Sequence, residues 1–190
     1  MPIPTSPRTK LWLDCDPGRD DAVAILFALH LPQLELLGLS SVHGNSSLEM
    51  MTLNCVRLLC SYGSPAQAAS IPVAQGARIP LVRALGLESA IHGKTGLDGV
   101  TGLLTIDDPL VAKLQSTAVG NNAVLAMAEA MRALPEGEQL VLVATGSYTN
   151  IALVISTFPD LVRQKVSRIA VMGGAEGRGN KSPVAEANVL

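Results

Sequence analysis

The sequence predicts an α/β fold with an open, mainly parallel central β-sheet that is flanked by helices. Short apolar runs, typical of buried strands, alternate along the chain with segments whose apolar residues recur at helical spacing. At two places, residues 11–30 and 139–157, an apolar run leads through a polar turn into a helical pattern. In an open α/β sheet, such turns lie at the carboxyl ends of strands, where ligands bind.

The first half of the chain alternates three predicted strands with two predicted helices. They are a strand at 11–13, a helix at 22–30, a strand at 34–42, a helix at 48–62 and a short strand at 71–74. Residues 91–99 contain three glycines and read as a loop. On composition this is a surface loop, although glycines also give a moving lid its backbone freedom.

The second half repeats the alternation. A predicted helix covers residues 121–134, since its apolar residues recur at helical spacing. Residues 139–144 form a continuous apolar run, as strands buried in parallel sheets do. A helix at 151–157 and a strand at 168–172 follow.

Length and composition restrict the class of protein. The 190 residues fit one domain with a sizeable core, and 48% hydrophobic with 16% charged residues indicate an ordered globular chain. A net charge of −2 without a basic patch argues against a nucleic-acid partner, and no apolar stretch is long enough to span a membrane. Residues 1–9 are expected to form a flexible tail, not a signal peptide.

The three cysteines are odd in number and form no Cys-x-x-Cys pair. Free thiols suit a reducing compartment, so a cytoplasmic location is expected.

Four carboxylates stand close together after the first strand. Asp14, Asp16, Asp20 and Asp21 lie within eight residues, so their negative charges repel one another. A hard divalent cation, Ca²⁺ or Mg²⁺, suits such an all-oxygen set. Alternatively, Asp20 and Asp21 only cap the following helix, which would leave Asp14 and Asp16 without a role.

The nine residues from Asp14 to Ala22, Asp-Cys-Asp-Pro-Gly-Arg-Asp-Asp-Ala, resemble the N-terminal signature of the inosine/uridine-preferring nucleoside hydrolases. Four later segments resemble motifs of the same family in the same order. They are Gly44-Asn45, the His-Gly-x-x-Gly-Leu-Asp-Gly loop at 92–99, Thr-Gly-x-x-Thr-Asn at 145–150, and the Met-Gly-Gly…Gly-Asn…Ala-Glu-x-Asn block at 172–188. The resemblance implies a nucleoside hydrolase-like fold with a Rossmann-like core.

The resemblance also implies an activity, the calcium-dependent hydrolysis of the N-glycosidic bond of a ribonucleoside such as inosine or uridine. The products are ribose and a free base, as in purine and pyrimidine salvage. Asp16 and Asp21 would hold Ca²⁺ through carboxylate oxygens, and Thr145 through its carbonyl. Asp16 would act as general base on a water whose pKa the metal lowers, making the enzyme inverting. Asp14 would orient the loop from behind the site.

Substrate contacts follow from the same resemblance. The residues expected to bind substrate are Asp20, Asn45, His92, Met172, Asn180, Glu186 and Asn188. Polar groups around the sugar favour an oxocarbenium-like transition state. His43 belongs to no motif and is predicted to be structural, and Tyr148 stands where the family pattern has Leu. The family suggests a homo-oligomer, either a dimer or a tetramer.

The resemblance covers only the N-terminal portion of the family, whose C-terminal His-Asp pair has no counterpart here. We therefore expect a single, incomplete domain over residues 1–190, with impaired metal binding and turnover. Two alternatives stay open: a non-catalytic ribose- or nucleoside-binding remnant, and a Mg²⁺-dependent phosphatase using Asp14 and Asp16 as nucleophile and acid.

Overall fold

Five parallel strands form the central sheet in the part of the chain that the structure describes. The structure is a computed structural model that describes residues 7–82, 89–179, 186 and 188. The strands are β1 (Thr9–Cys15), β2 (Leu34–Ser41), β3 (Val73–Gln75), β4 (Leu140–Ala144) and β5 (Val166–Val171). All pair in parallel, which confirms the predicted fold class. Strand β1 begins one residue inside the predicted tail.

Eight helices connect and cover these strands within the described residues. They are α1 (Arg19–His30), α2 (Leu48–Tyr62), α3 (Pro65–Ser70), α4 (Ser89–His92), α5 (Pro109–Gly120), α6 (Ala123–Ala133), α7 (Thr149–Thr157) and α8 (Pro159–Lys165). The sequence patterns did not predict α3, α4, α5 and α8, and the end of α4 lies in the segment predicted to be a loop. Helices α3, α5 and α8 each begin with proline in the first turn, and Ser64 and Asp108 cap α3 and α5, so start signals were present for these three.

The order of the strands determines where a ligand can bind. The sheet runs β3-β2-β1-β4-β5, so the chain proceeds outward from β1 in one direction and then returns to its other side. The connection after β1 therefore runs to one side of the sheet, and the connection after β4 runs to the other. The two connections leave a crevice between them at the carboxyl ends of β1 and β4. The acidic loop follows β1, and the Thr145 turn follows β4.

Apolar residues bury both faces of the sheet. Helices α1, α2 and α5 pack on one face, where Leu13, Ile25 and Leu59 belong to one core cluster. Helices α6, α7 and α8 pack on the other face, where Trp12 and Met127 belong to a second cluster. Neighbouring residues of β1 thus point to opposite faces. None of the described helices is long and apolar enough to cross a membrane.

A glycine in β2 makes room for the buried indole of β1. Gly38 pairs with Trp12, and a Cβ at residue 38 would lie 2.3 Å from a ring carbon. We expect Gly38→Ala to lower the free energy of unfolding by about 1–3 kcal/mol through overpacking. Urea denaturation measures this. The matched control is Gly120→Ala at the end of α5, where the added methyl meets nothing within 4 Å. Equal midpoints for the two variants would contradict the expectation.

Candidate functional site

Strand β1 delivers three buried carboxyl groups to the crevice. Asp14 is the penultimate residue of β1, Asp16 follows the strand, and Asp21 lies in the first turn of α1. All three side chains are buried, whereas Asp20 is about half exposed, at 52%. Burying several carboxylates together is costly unless hydrogen bonds or a cation offset their charge.

The carboxylate of Asp16 lies between the backbones of two turns. The Asn45 amide donates to its Oδ2 at 2.9 Å, and the Asn45 side chain donates to the Asp16 carbonyl at 2.7 Å. A Cβ on Gly44 would lie 2.0 Å from Oδ2, and one on Gly146 would lie 2.7 Å from Oδ1. Only glycine fits at these two positions, so the turns after β2 and β4 both fix the carboxylate.

Asp21 both caps a helix and presents a free oxygen. Its Oδ2 accepts from the Gly18 amide at 2.9 Å in the capping box of α1. Its Oδ1 is buried and has no hydrogen-bond partner among the described residues. The capping alternative therefore accounts for one oxygen of Asp21, and the other remains available to a ligand. The Thr145 side chain lies beside the same carboxylate.

Asp14 is enclosed behind the site. Its Oδ1 accepts from the Ser40 hydroxyl and from Asn150 Nδ2, the latter at 2.8 Å, and the residue is fully buried. Asn150 lies in the first turn of α7, and its Nδ2 also donates to the Ser41 carbonyl at 3.0 Å. A nucleophile must reach its substrate, which an enclosed Asp14 cannot do. This placement disfavours the phosphatase alternative.

Burial weakens the acidity of all three groups. It raises the pKa of Asp14 to about 7, although hydrogen bonds from Ser40 and Asn150 oppose the rise. Burial, followed by the charge of Asp21, raises the pKa of Asp16 to about 8. Burial also raises the pKa of Asp21, while the nearby Thr145 side chain and the hydrogen bond from the Gly18 amide lower it. The cluster therefore holds protons near neutral pH unless a cation replaces them.

The donor set fits a hard cation. Asp16 and Asp21 lie close enough for their charges to act on each other, and the free Oδ1 of Asp21 is an oxygen ligand of the kind that Ca²⁺ takes. Among the described residues, no three His, Cys, Asp or Glu side chains form a metal cluster by themselves.

One protein family matches nearly the whole chain. The family described as inosine-uridine preferring nucleoside hydrolase matches residues 11–190. The chain belongs to this family. The family resemblance predicted from the sequence is thus confirmed.

Curated relatives agree with this assignment. The pyrimidine-specific ribonucleoside hydrolase RihA of Klebsiella pneumoniae is 40% identical over 179 residues, covering 94% of this chain and 52% of its own length. The non-specific ribonucleoside hydrolase RihC of Escherichia coli is 40% identical over 182 residues, covering 96% and 54%. The chain spans about half the length of these relatives.

Solved structures have the same fold. The plant nucleoside hydrolase PpNRh1 matches with a TM-score of 0.78 and 31% identity, covering 96% of this chain and 53% of its own. The purine-preferring ribonucleoside hydrolase of Gardnerella vaginalis also has a TM-score of 0.78, with 29% identity and coverage of 95% and 54%. The central sheet described above is therefore nucleoside hydrolase-like.

Three of the residues expected to bind substrate, Met172, Glu186 and Asn188, lie near the ends of β4 and β5. Met172 follows β5 and is 44% exposed, and Glu186 is buried with an Oε1 that has no partner among the described residues. Asn188 Nδ2 donates to the carbonyls of Thr145 and Met172 at 3.0 and 2.9 Å. Asn180 lies outside the described residues. The individual roles stay predictions.

The glycine-rich loop, residues 92–99, is anchored to the acidic loop. His92 Nδ1 accepts from the Arg19 amide at 3.4 Å, and its Nε2 lies 3.7 Å from Asp20. The fully buried Asn54 of α2 donates to the carbonyls of Pro17 and Thr95, at 3.3 and 2.7 Å. The loop thus contacts the acidic turn through several polar groups, and it places His92 at the site.

Sequence reasoning missed Asn54 as a residue of this site. It lies in the middle of an amphipathic helix, where a polar residue within an apolar pattern was the only available signal. A buried Asn must find hydrogen-bond partners, and here they belong to two loops far away in sequence.

Proposed function

We propose that this chain carries the site for calcium-dependent hydrolysis of the N-glycosidic bond of ribonucleosides. The products would be ribose and a free base, which fits a role in purine and pyrimidine salvage. The observation that carries the proposal is the arrangement of Asp16 and Asp21 at the crevice between β1 and β4, one carboxylate fixed by two turns and the other with a free oxygen. The ribonucleoside hydrolases named among the relatives support it.

Asp16 is the proposed general base. A pKa raised towards neutrality by burial makes its carboxylate a stronger proton acceptor than an exposed Asp. Asp16, Asp21 and the Thr145 carbonyl would hold Ca²⁺. When bound, the ion would supply positive charge that lowers the pKa of a nearby water. Attack by that water on the far side of the leaving base would invert the anomeric carbon. Asp14 supports the loop from behind.

The other predicted residues are proposed to hold the sugar and the base. Asp20, Asn45, His92, Met172, Asn180, Glu186 and Asn188 form this set. The buried, unpartnered Oε1 of Glu186 supports a ligand contact, since a buried acceptor gains most from a hydroxyl donor. Asn45 already binds Asp16, so its proposed role includes positioning the base.

The decisive experiment incubates the purified chain with inosine or uridine, with Ca²⁺ or with a chelator, and measures released ribose and base. We expect slow, calcium-dependent release, below that of Klebsiella pneumoniae RihA run in parallel. Calorimetric binding of ribose without any hydrolysis would favour the binding remnant instead. Phosphate release from small phosphomonoesters would favour the phosphatase. Either result without nucleoside cleavage would overturn the proposal.

A cytoplasmic location is also proposed. The three cysteines are free, and Cys15 and Cys55 lie with their sulfurs 3.7 Å apart without forming a disulfide. Unpaired thiols this close suit a reducing compartment.

We propose that the chain forms a homo-oligomer in which the edge strand β5 contacts a second copy. Strand β5 lies at the edge among the described strands, and Ile169 and Val171 are 38% and 50% exposed. An apolar edge strand favours pairing with a second copy. We expect light scattering to show concentration-dependent association that Ile169→Lys weakens. The exposed Val119 of α5 provides the control variant, Val119→Lys. Equal masses for both variants at every concentration would contradict this edge as the contact.

A further inference from the structure

Two polar residues that belong to no predicted site meet beside Asp16. Ser147 Oγ lies 3.3 Å from His43 Nε2 and 3.3 Å from the His43 carbonyl. Both distances are satisfied together when the neutral ring donates from Nε2 to the hydroxyl and the hydroxyl donates to the carbonyl. Burial lowers the pKa of His43, which keeps the ring neutral in this arrangement.

These residues stand next to the two glycines that enclose the Asp16 carboxylate. His43 precedes Gly44 in the turn after β2, and Ser147 follows Gly146 in the turn after β4. The two glycines are the positions where a Cβ would collide with the Asp16 carboxylate oxygens. A bond between His43 and Ser147 therefore links the two turns directly behind their contacts with Asp16.

The main-chain hydrogen bonds of the sheet to β1 end before His43 and Ser147. Main-chain hydrogen bonds to β1 extend to Val42 on one side, which binds the Cys15 carbonyl, and to Thr145 on the other, which binds the Asp14 carbonyl. Beyond these residues the turns leave the sheet. The described contacts that then join the two turns across Asp16 include the His43–Ser147 pair.

We propose that the His43–Ser147 pair is a positioning device for Asp16, holding the turns after β2 and β4 at the spacing that orients its carboxylate. This inference rests on the proposed function, because it assigns the pair to the general base of that reaction. It gives His43 a role beyond the structural one predicted from the sequence. His43 Nε2 also lies 3.2 Å from Thr149 Oγ1, which keeps the ring turned towards α7.

The test compares Ser147→Ala with Ser147→Thr and with Ser167→Ala. Alanine removes the hydroxyl, and threonine restores it. Ser167 donates to the Leu140 carbonyl at 3.1 Å at the other end of the sheet, so its variant loses a similar bond away from the site. Calorimetry with Ca²⁺ alone, inosine kinetics and thermal unfolding are measured for each.

We expect Ser147→Ala to weaken Ca²⁺ binding and to lower kcat, each about tenfold, with a smaller change in KM. Threonine should recover most of both losses, and the melting temperatures of the two alanine variants should agree. Wild-type Ca²⁺ affinity and kcat in Ser147→Ala would overturn the proposal. So would equal losses in Ser147→Ala and Ser147→Thr, since the hydroxyl would then be irrelevant.

A second readout does not depend on the activity. The Asn45 amide donates to Asp16 Oδ2, so its hydrogen exchange without Ca²⁺ reports how firmly the carboxylate is held. Exchange about tenfold faster at Asn45 in Ser147→Ala, with no change at Leu13 in β1, is expected. If the wild type proves inactive and this difference is still seen, the proposed function fails while the positioning pair stands. Unchanged exchange at Asn45 would overturn the pair.

Discussion

Replacing Asp16 by asparagine is expected to lower kcat for inosine hydrolysis by about 10²–10⁴-fold, because the amide cannot accept the proton of the attacking water. Asparagine keeps the size of the side chain, so the turns at Gly44 and Gly146 should remain in place. The exposed Asp107 provides the matched control variant, Asp107→Asn, which removes the same charge outside the site. Steady-state kinetics with saturating Ca²⁺ measures the difference between the two variants.

Although Asp16→Asn should lower kcat, it should raise the stability of the folded chain. Burial raises the pKa of Asp16 to about 8, so ionising this group in the folded chain costs free energy that the unfolded chain does not lose. Without Ca²⁺ and above about pH 8, Asp16→Asn should therefore melt at a higher temperature than the wild type. Lower stability together with unchanged kcat would show that Asp16 is a structural residue and not the base.

The contiguous parts of this site could be predicted from the sequence, because local chemistry defines them. Asp14, Asp16 and Asp21 stand within eight residues after an apolar run, and the structure buries all three around the end of β1. The same locality explains the strands and helices α1, α2, α6 and α7, whose periodicity is visible within a short window. Helix α5, with twelve residues, was missed although it is as long as α1. The short helices α3 and α8 are only six and seven residues long, which leaves too few turns for a pattern.

Contacts between distant segments could not be predicted in this way. Asn54 reaches Pro17 across 37 residues, and Asn150 reaches Asp14 across 136. Nothing in the local sequence specifies such partners, since they depend on how α2 and α7 pack on the sheet. Asn188 shows the same limit, because a motif indicated its presence at the site but not that its amide would bind two main-chain carbonyls.

The acidic cluster should make the chain less stable as the pH rises. Burial raises the pKa of Asp14 to about 7 and that of Asp16 to about 8, and it also raises the pKa of Asp21. In the unfolded chain these groups titrate near about pH 4. Between these limits the folded state binds more protons than the unfolded state, so the free energy of unfolding must fall as pH rises.

Urea denaturation with a chelator should therefore show lower stability at about pH 8 than at about pH 5, by about 1.4 kcal/mol for each unit of pKa difference that is realised. Asp16→Asn should make this dependence shallower, and Asp107→Asn should leave it unchanged. Stability that rises with pH in the chelated protein would show that these carboxyl groups are not held protonated.

Calcium should reverse the trend, because it competes with protons for the same oxygens. At a Ca²⁺ concentration of 100 times Kd, the stabilisation is about 2.7 kcal/mol, and Kd itself falls as the carboxyl groups lose their protons. The gain from Ca²⁺ should thus be small at about pH 5 and large at about pH 8. Mg²⁺ is the control ion, since its stricter octahedral geometry suits a flexible oxygen set less well. An equal gain at both pH values would mean that the ion binds away from Asp14, Asp16 and Asp21.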